Sequence, residues 1–330
     1  MGGDFGPGVV VPGTVMALTE FPGRFRVVLL GDLDEVEDEL ARLKARDLPI
    51  ELVHAPERVE MDEPPATVFR RKPNSSLAMA TQMQKDGKLD GFFSAGSTGA
   101  IVAVSLLGLG RLEKVSRPAI ATIFPNRGRG CVVLDVGATA DCKPQHLAQF
   151  ASMGSCYAHD VLGLATPRVG LLSIGEEATK GNELTQETHG ILAQQSHLNF
   201  IGNVEGREVY SGVADVIVCD GFTGNVVLKT SEGLVDAVET LLGDELRGTF
   251  SSQVGYLLSR RAFRRFRRRV DYSEYGGAPL LGVAGLAIVG HGRSSPKAVR
   301  NAIAMAYRFA AGDFIQRVEH EIAAASVSPH

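Results

Sequence analysis

Tryptophan is absent from this 330-residue chain, and aromatic residues make up only 6% of it. Little is left to stack on exposed bases, so a nucleic-acid partner is not indicated. The four cysteines, Cys131, Cys142, Cys156 and Cys219, form no CxxC pair and have no histidine at zinc spacing. They read as buried or half-buried free thiols of a reducing compartment. No signal peptide opens the chain and no run of about 18 apolar residues could span a bilayer, so a cytoplasmic protein is expected. Also missing are GxGxxG after the first strand, GxxxxGK[ST], HExxH and GxSxG. Nucleotide hydrolysis, zinc proteolysis and serine-hydrolase chemistry therefore have no anchor.

Apolar residues at 44% and charged residues at 22% are the balance of a globular protein with a sizeable core. Short runs rich in Val, Ile, Leu and Phe predict strands at Phe25–Leu30, Ile50–His54, Gly91–Ser94, Val132–Asp135, Val169–Ile174, Asn199–Ile201 and Val216–Cys219. They barely alternate, as strands covered on both faces do. Between them run helical stripes: Val36, Leu40 and Leu43, and a longer one through Val299, Ile303, Ala306, Ala310 and Phe314. Such alternation calls for an α/β fold with a mostly parallel sheet layered by helices. No repeat, low-complexity tract or linker divides the chain, so one domain over residues 1–330 is expected. Met1-Gly2-Gly3-Asp4 looks like the loop after a strand that the sequence does not supply. The expectation is a missing first strand, a slot left open in the sheet, and lower stability than in a version extended upstream.

Many of the 38 glycines sit where apolar runs end, the place for tight strand-to-helix turns. Ser94–Ala100 (SAGSTGA), Asp135–Thr139 (DVGAT), Ile174–Glu183 (IGEEATKGNE) and Asp220–Asn225 (DGFTGN) each follow a predicted strand, and Gly2-Gly3-Asp4 would make a fifth. Loops after parallel strands gather at the carboxyl edge of a sheet, where α/β proteins bind ligands. Helix N-termini there offer free N–H groups and partial positive charge, so five loops at one edge predict an anion site. His54, His146, His159, His189 and His197 are scattered and read as surface or core residues, whereas His291, between Gly290 and Gly292, is a site candidate.

In order along nearly the whole chain, Met1–Asp4, Arg71–Ser76 (RKPNSS), Ser94–Ala100, Asp135–Pro144 (DVGATADCKP), Lys180–Leu184 (KGNEL), Asn199–Glu205 (NFIGNVE), Asp220–Lys229 (DGFTGNVVLK), Asp271–Leu280 (DYSEYGGAPL) and Gly290–Gly292 resemble the acyl-carrier-protein:phosphate acyltransferase family of bacterial phospholipid synthesis. Ser97 and Thr139 stand where that family usually has asparagine; both can still hydrogen-bond. The resemblance implies a three-layer α/β/α fold related to phosphotransacetylases and isocitrate-dehydrogenase-like enzymes. It implies a homodimer that takes a fatty acyl group from acyl carrier protein, passes it to inorganic phosphate, and hands acyl phosphate to a membrane glycerol-3-phosphate acyltransferase. No cofactor or metal is called for. The runners-up are a phosphotransacetylase-like enzyme using acyl-CoA and a non-catalytic anion-binding regulatory protein.

An anionic nucleophile needs no activating base, and a thiol of pKa near 8.5 leaves readily as thiolate. What remains is to hold the anion and stabilise the oxyanion. For that work the expected residues are Lys180 as the cation on phosphate or oxyanion, Asn225 as a donor, Asp220 as the group orienting Lys180 or a loop amide, and His291. Gly96, Ser97, Thr98 and Gly99 are expected to cradle phosphate, with Asn74, Ser75 and Ser76 along the same edge. Gly3, Asp4, Asp135, Gly137, Lys143, Gly181, Asn182, Thr223 and Gly224 complete the phosphate- and substrate-binding set.

Charge is uneven. Ser251–Val270 carries seven arginines and no acidic residue in a chain of net charge −4. Val254, Leu258, Ala262, Phe266 and Val270 recur every four residues, which predicts a basic amphipathic helix in an excursion over about residues 245–275. Its Leu257, Leu258, Arg260, Arg261, Phe263, Arg264, Arg265, Phe266 and Arg268 suit a peripheral membrane contact, the docking of an acidic carrier protein, or a dimer face.

Overall fold

The computed structural model describes residues 2–60, 62–270 and 274–325. Met1 and the 271–273 part of the Asp271–Leu280 motif lie outside the described residues. In chain order the elements are α1 (Pro7–Glu20), β1 (Val27–Gly31), α2 (Leu33–Arg42), β2 (Ile50–His54), α3 (Pro65–Arg71), α4 (Ser76–Lys85), β3 (Phe92–Ser94), α5 (Thr98–Gly108), β4 (Ala119–Phe124) and β5 (Cys131–Leu134). There follow α6 (Pro144–Leu162), β6 (Arg168–Leu172), α7 (Glu183–Leu192), β7 (Asn199–Val204), a 3₁₀ turn (Gly206–Tyr210), β8 (Val216–Val218), α8 (Gly221–Gly248), α9 (Phe250–Val270), β9 (Ala278–Leu281), β10 (Ala287–Val289), α10 (Pro296–Ala311) and α11 (Phe314–Ala325).

Eight strands form one sheet in the order β3-β10-β9-β4-β5-β8-β6-β7, and β1 and β2 form a separate parallel pair. The central strands are apolar along their length because helices cover both faces: every residue of β5 and β8 is buried. Alternate residues of β5 feed two different cores, Val132 and Leu134 one, Cys131 and Val133 the other. At the start of β6, Arg168 grips Asp215 through Nε and Nη2 at 2.9 and 3.0 Å and fixes the entry of β8. This pairing, with the Arg168 backbone N–H, holds the Asp215 carboxyl below its usual range against the opposing effect of burial.

Strand sense departs from the sequence reading. β5, β8, β6 and β7 are mutually parallel, and β3 is parallel to β10. The steps β5–β4, β4–β9 and β9–β10 are all antiparallel. An odd number of reversals makes β3 and β10 run opposite to β5, β6 and β8. Loops after these two groups therefore leave opposite edges of the sheet, not the single edge expected.

The long C-terminal stripe is also two helices. Asp313, at φ 51°, turns the chain after Gly312, and Phe314 starts α11. Phe314 stacks on Phe309 at 4.4 Å and meets Tyr157 edge-on, so the spacing from Ala310 to Phe314 spans a corner. Leu43 is likewise the C-cap of α2, whose buried stripe is Val36 and Leu40.

Candidate active site

The first turns of α8 organise the site. Asp220 is the N-cap, and its carboxylate accepts the Thr223 backbone N–H at 2.9 Å and the Thr223 hydroxyl at 2.7 Å. Both side chains thereby start the helix. Of the two partners expected for Asp220, a backbone amide is met in Thr223, and Lys180 makes no contact with it among the described residues. Gly221 and Gly224 are glycines because the loop after β5 passes against them. A Cβ on Gly221 would stand 2.7 Å from Asp135 Oδ2 and from Thr139 O, and one on Gly224 would overlap Asp135 O.

Asp135 is fully buried under this turn. Its Oδ1 accepts the N–H groups of Ile120, Gly137 and Ala138 at 2.9 to 3.0 Å, and its Oδ2 accepts Thr139 N–H at 2.6 Å. Burial pushes its pKa up, and these donors pull it down by stabilising the anion. The carboxylate shapes the loop through these bonds. Gly137, at φ 137°, lies against Asn225: a Cβ there would be 3.6 Å from Asn225 Oδ1. Asn225 is exposed, and its amide has no hydrogen-bond partner among the described residues.

One turn further, Lys229 shares a helix face with Asn225. Its Nζ lies 2.8 Å from Glu232 Oε2 and 3.1 Å from His291 Nε2. His291 occupies the loop after β10, and its Nδ1 accepts the Arg293 backbone N–H at 3.1 Å. Its neutral ring then carries the proton on Nε2, so two N–H donors meet where Lys229 approaches. The Glu232 carboxylate, 2.8 Å from Lys229 Nζ and 3.7 Å from His291 Nε2, faces both. Burial first, then the Lys229 charge, lower the His291 pKa, while Glu232 and Asp4 oppose them. Lys229 escaped the sequence reading because a lysine two turns into a helix looks like a solvated one; its i, i+4 spacing from Asn225 was the available signal.

The remaining loops meet here. Asp4 N–H donates to Gly292 O at 2.9 Å. A Cβ on Gly3, which has φ 85°, would press on Ala95 O at 3.0 Å and Gly292 O at 3.1 Å. Beside them Ser97 holds the N-cap position of α5 without spending its side chain on the cap. Its hydroxyl and the first-turn N–H groups of Thr98 and Gly99 are placed for an anion, while Gly96 N–H is taken by Ser94 Oγ at 3.3 Å. Two loop groups on opposite sheet edges still form one site, because the strands are short. Three to four residues span about 10–13 Å, and eight residues of helix cover about 12 Å. The start of α8 thus reaches from the Gly137 loop to the His291 loop.

Lys180 lies in the loop after β6, the neighbour of β8. It is exposed, its Nζ has no partner among the described residues, and its stem crosses Gly175, where a Cβ would be 2.9 Å from Lys180 Cγ. Asn203 Nδ2 and Gln186 Nε2 tether the loop through Glu177 O and Thr179 O at 2.9 and 2.8 Å. Gly181 takes φ 98° against Thr185. Asn182 caps α7 through Thr185 N–H at 3.0 Å. Ser75 is also a cap. Fully buried, it donates to Lys72 O at 2.7 Å and caps α4. Asn74 N–H donates to Glu57 Oε2 at 2.7 Å, with its side chain exposed, and Ser76 lines a cavity beside Gly2. Lys143 is exposed at the start of α6, its N–H donating to His146 Nδ1 at 3.1 Å.

No thiol in the set is a ready nucleophile. All four cysteines are free, and burial pushes Cys131, Cys142 and Cys156 up to about 12. Four of the scattered histidines have structural contacts: besides His146, His159 Nδ1 meets Asp160 Oδ1 at 3.1 Å, His197 Nε2 meets Ser152 Oγ at 3.1 Å and His189 packs edge-on to Phe200.

Away from the site, α8 and α9 form a hairpin with apolar side chains in solvent. Leu257 is 67% and Leu258 81% exposed, and Phe266 is also exposed. Phe263 instead turns inward onto Tyr256, ring centroids 5.2 Å apart. Arg260, Arg261, Arg264, Arg265 and Arg268 are exposed. Leu234, Val238 and Leu241 carry the exposed stripe onto α8, upstream of the 245–275 excursion. Among the described residues no helix is long and apolar enough to cross a membrane.

The architecture is that of the phosphotransacetylases. A phosphotransacetylase from Streptococcus pyogenes superposes with a TM-score of 0.59 at 16% identity, covering 91% of each chain. The EutD phosphotransacetylase from Staphylococcus aureus gives 0.56 at 19% identity, covering 91% of this chain and 89% of its own. At the level of sequence, residues 1–317 match the family described as fatty acid synthesis protein. A phosphate acyltransferase from Nitratidesulfovibrio vulgaris (strain DP4) is 48% identical over 324 residues, 98% of this chain and 93% of its own. One from Heliobacterium modesticaldum is 49% identical over 323 residues, 98% and 96% of the two chains. The chain belongs to the phosphate acyltransferase family, and it is an acyltransferase.

Proposed function

We propose that the chain transfers a fatty acyl group from acyl-[acyl-carrier protein] to inorganic phosphate, giving acyl phosphate for phosphatidic acid synthesis. A phosphate oxygen attacks the thioester carbonyl carbon, the C–O bond forms, and the C–S bond breaks. The carrier thiolate leaves and takes its proton from solvent. One observation supports this reading: Asn225 and Lys180 are exposed with side-chain donors unpaired among the described residues, and Ser97 leaves its side chain unspent at the start of α5, while burial holds the thiols protonated. Lys180 and Asn225 serve the developing oxyanion, and the α5 N-terminus and Lys229 hold phosphate. Hydroxylamine trapping of acyl phosphate, with long-chain acyl-carrier protein and acyl-CoA compared as donors, tests it. Faster reaction with the carrier supports the proposal. Preference for CoA favours the phosphotransacetylase-like reading, and no turnover with either donor leaves the regulatory one.

The exposed stripe of the α8–α9 hairpin, with its arginines, supports a peripheral membrane contact that delivers the lipid product to a membrane acyltransferase. Salt-sensitive sedimentation with anionic liposomes is the expected result. Salt-sensitive carrier affinity without liposome binding would move the basic helix to the carrier protein, and loss of dimer in Leu257→Asp would move it to the homodimer interface.

A further inference from the structure

A carboxylate at the rim of an anion site needs a reason, and Glu232 is one. Asn225, Lys229 and Glu232 follow one another at i, i+4 and i+7, so α8 presents all three on one stripe. That stripe meets the loop after β10, where His291 Nε2 lies 3.1 Å from Lys229 Nζ and 3.7 Å from Glu232 Oε2. Only 22% of the Glu232 side chain is exposed, against 51% of Lys229. An i, i+3 ion pair on a solvated helix face holds no third group, whereas here a loop from another strand closes over the pair.

The hydrogen bonds leave the carboxylate half used. Lys229 Nζ donates to Oε2 at 2.8 Å, and Oε1 has no hydrogen-bond partner among the described residues. Lys229 keeps further N–H groups to give. The rim therefore offers an anion donors and, beside them, one open acceptor. An ionised carboxylate only accepts, so to a fully ionised oxyanion it is a like charge with nothing to bond. Inorganic phosphate differs, because at neutral pH it keeps an O–H. Sulfate, also tetrahedral, has none. A site built to bond a hydroxyl rejects the analogue that lacks one, since its own polar group is then left unpaired.

We propose that Glu232 is a specificity-determining residue for the anion. Its carboxylate accepts the O–H of hydrogen phosphate while Lys229 and the start of α5 bond the ionised oxygens, and it turns away sulfate, which carries no proton. No proton moves in this contact: the hydroxyl stays on phosphate, and an ionised oxygen attacks the thioester carbonyl. Sulfate held by the same donors would block them without giving an acyl phosphate. The inference rests on the proposed reaction for the place of phosphate beside Lys229, and its test needs no turnover.

The test is titration calorimetry of the full chain with sodium phosphate and with sodium sulfate, at neutral pH and fixed ionic strength. Phosphate is expected to bind at least ~10-fold more tightly than sulfate, as one hydrogen bond to a charged group allows. In Glu232→Gln the new amide can donate to sulfate, and that ratio is expected to fall at least ~10-fold. Lys229→Met should weaken both anions, which places the measured site at this rim. A ratio near one in the parent chain overturns the proposal, as does Lys229→Met binding both anions normally. So does an unchanged ratio in Glu232→Gln: equal gains would make Glu232 a repelling charge, and equal losses a prop for Lys229. Selectivity without phosphate-dependent thiol release would overturn the proposed reaction and leave this assignment standing; thiol release without selectivity would do the reverse.

Discussion

The floor of the site and its rim use similar loops in different ways. On the floor, Asp135, Asp220, Asn182 and Ser75 give their side-chain oxygens to backbone N–H groups of their own loops and helices. At the rim, Lys180, Asn225 and Ser97 keep theirs turned outward, and Lys229 and His291 bring two donors face to face. Side chains bonded to the amides of their own loops build the cradle, and outward-facing cations and amides are left to meet the anion. Hydrogen bonding to the backbone is what separates the two sets.

The largest effect should come from the floor. Asp135→Ala strands several buried N–H groups, so urea unfolding should show a loss of at least ~3 kcal/mol. A loss below ~1 kcal/mol would mean that the loop does not rest on that carboxylate. Next comes the rim. Lys180→Ala should keep its melting temperature and lose at least ~10²-fold in turnover, as losing one preorganised donor does. Unchanged turnover would take Lys180 out of the chemistry. Lys229→Met should raise the phosphate KM about 10-fold with a smaller change in kcat; an effect confined to Tm would assign Lys229 to the floor.

Smallest is a pH effect at His291. Its folded pKa lies below the usual 6.5 because of burial and Lys229. Below pH 6.5 the unfolded chain binds a proton that the folded ring resists, so stability falls as pH drops toward the folded pKa. His291→Gln should flatten part of that slope in pH-dependent melting. An identical slope would show that other groups set it.

Much of the fold was legible because its strands are apolar runs closed by glycine. All seven expected strands are present, each end within three residues and Ile50–His54 unchanged. β4, β9 and β10 were not. Pro118 and Pro125 bracket β4, Pro279 sits inside β9, and β10 has three residues. The antiparallel turn of the sheet runs through these three, and nothing in a residue pattern records strand sense. That is why one loop edge was expected and two were found. The site's residue types were legible from its loops, and their division of labour was not. Asp220 and Asp135 look as reactive as Lys180 until caps and burial are known. Lys229 had no loop around it to draw attention.

In the proposed reaction phosphate itself attacks the thioester, without an acyl-enzyme. Single-turnover thiol release, with the enzyme in excess over acyl-carrier thioester and phosphate present or absent, tests it most directly. Direct attack predicts release only with phosphate, at a rate that rises with its concentration. A burst of thiol without phosphate, leaving the acyl group on the protein, would contradict it.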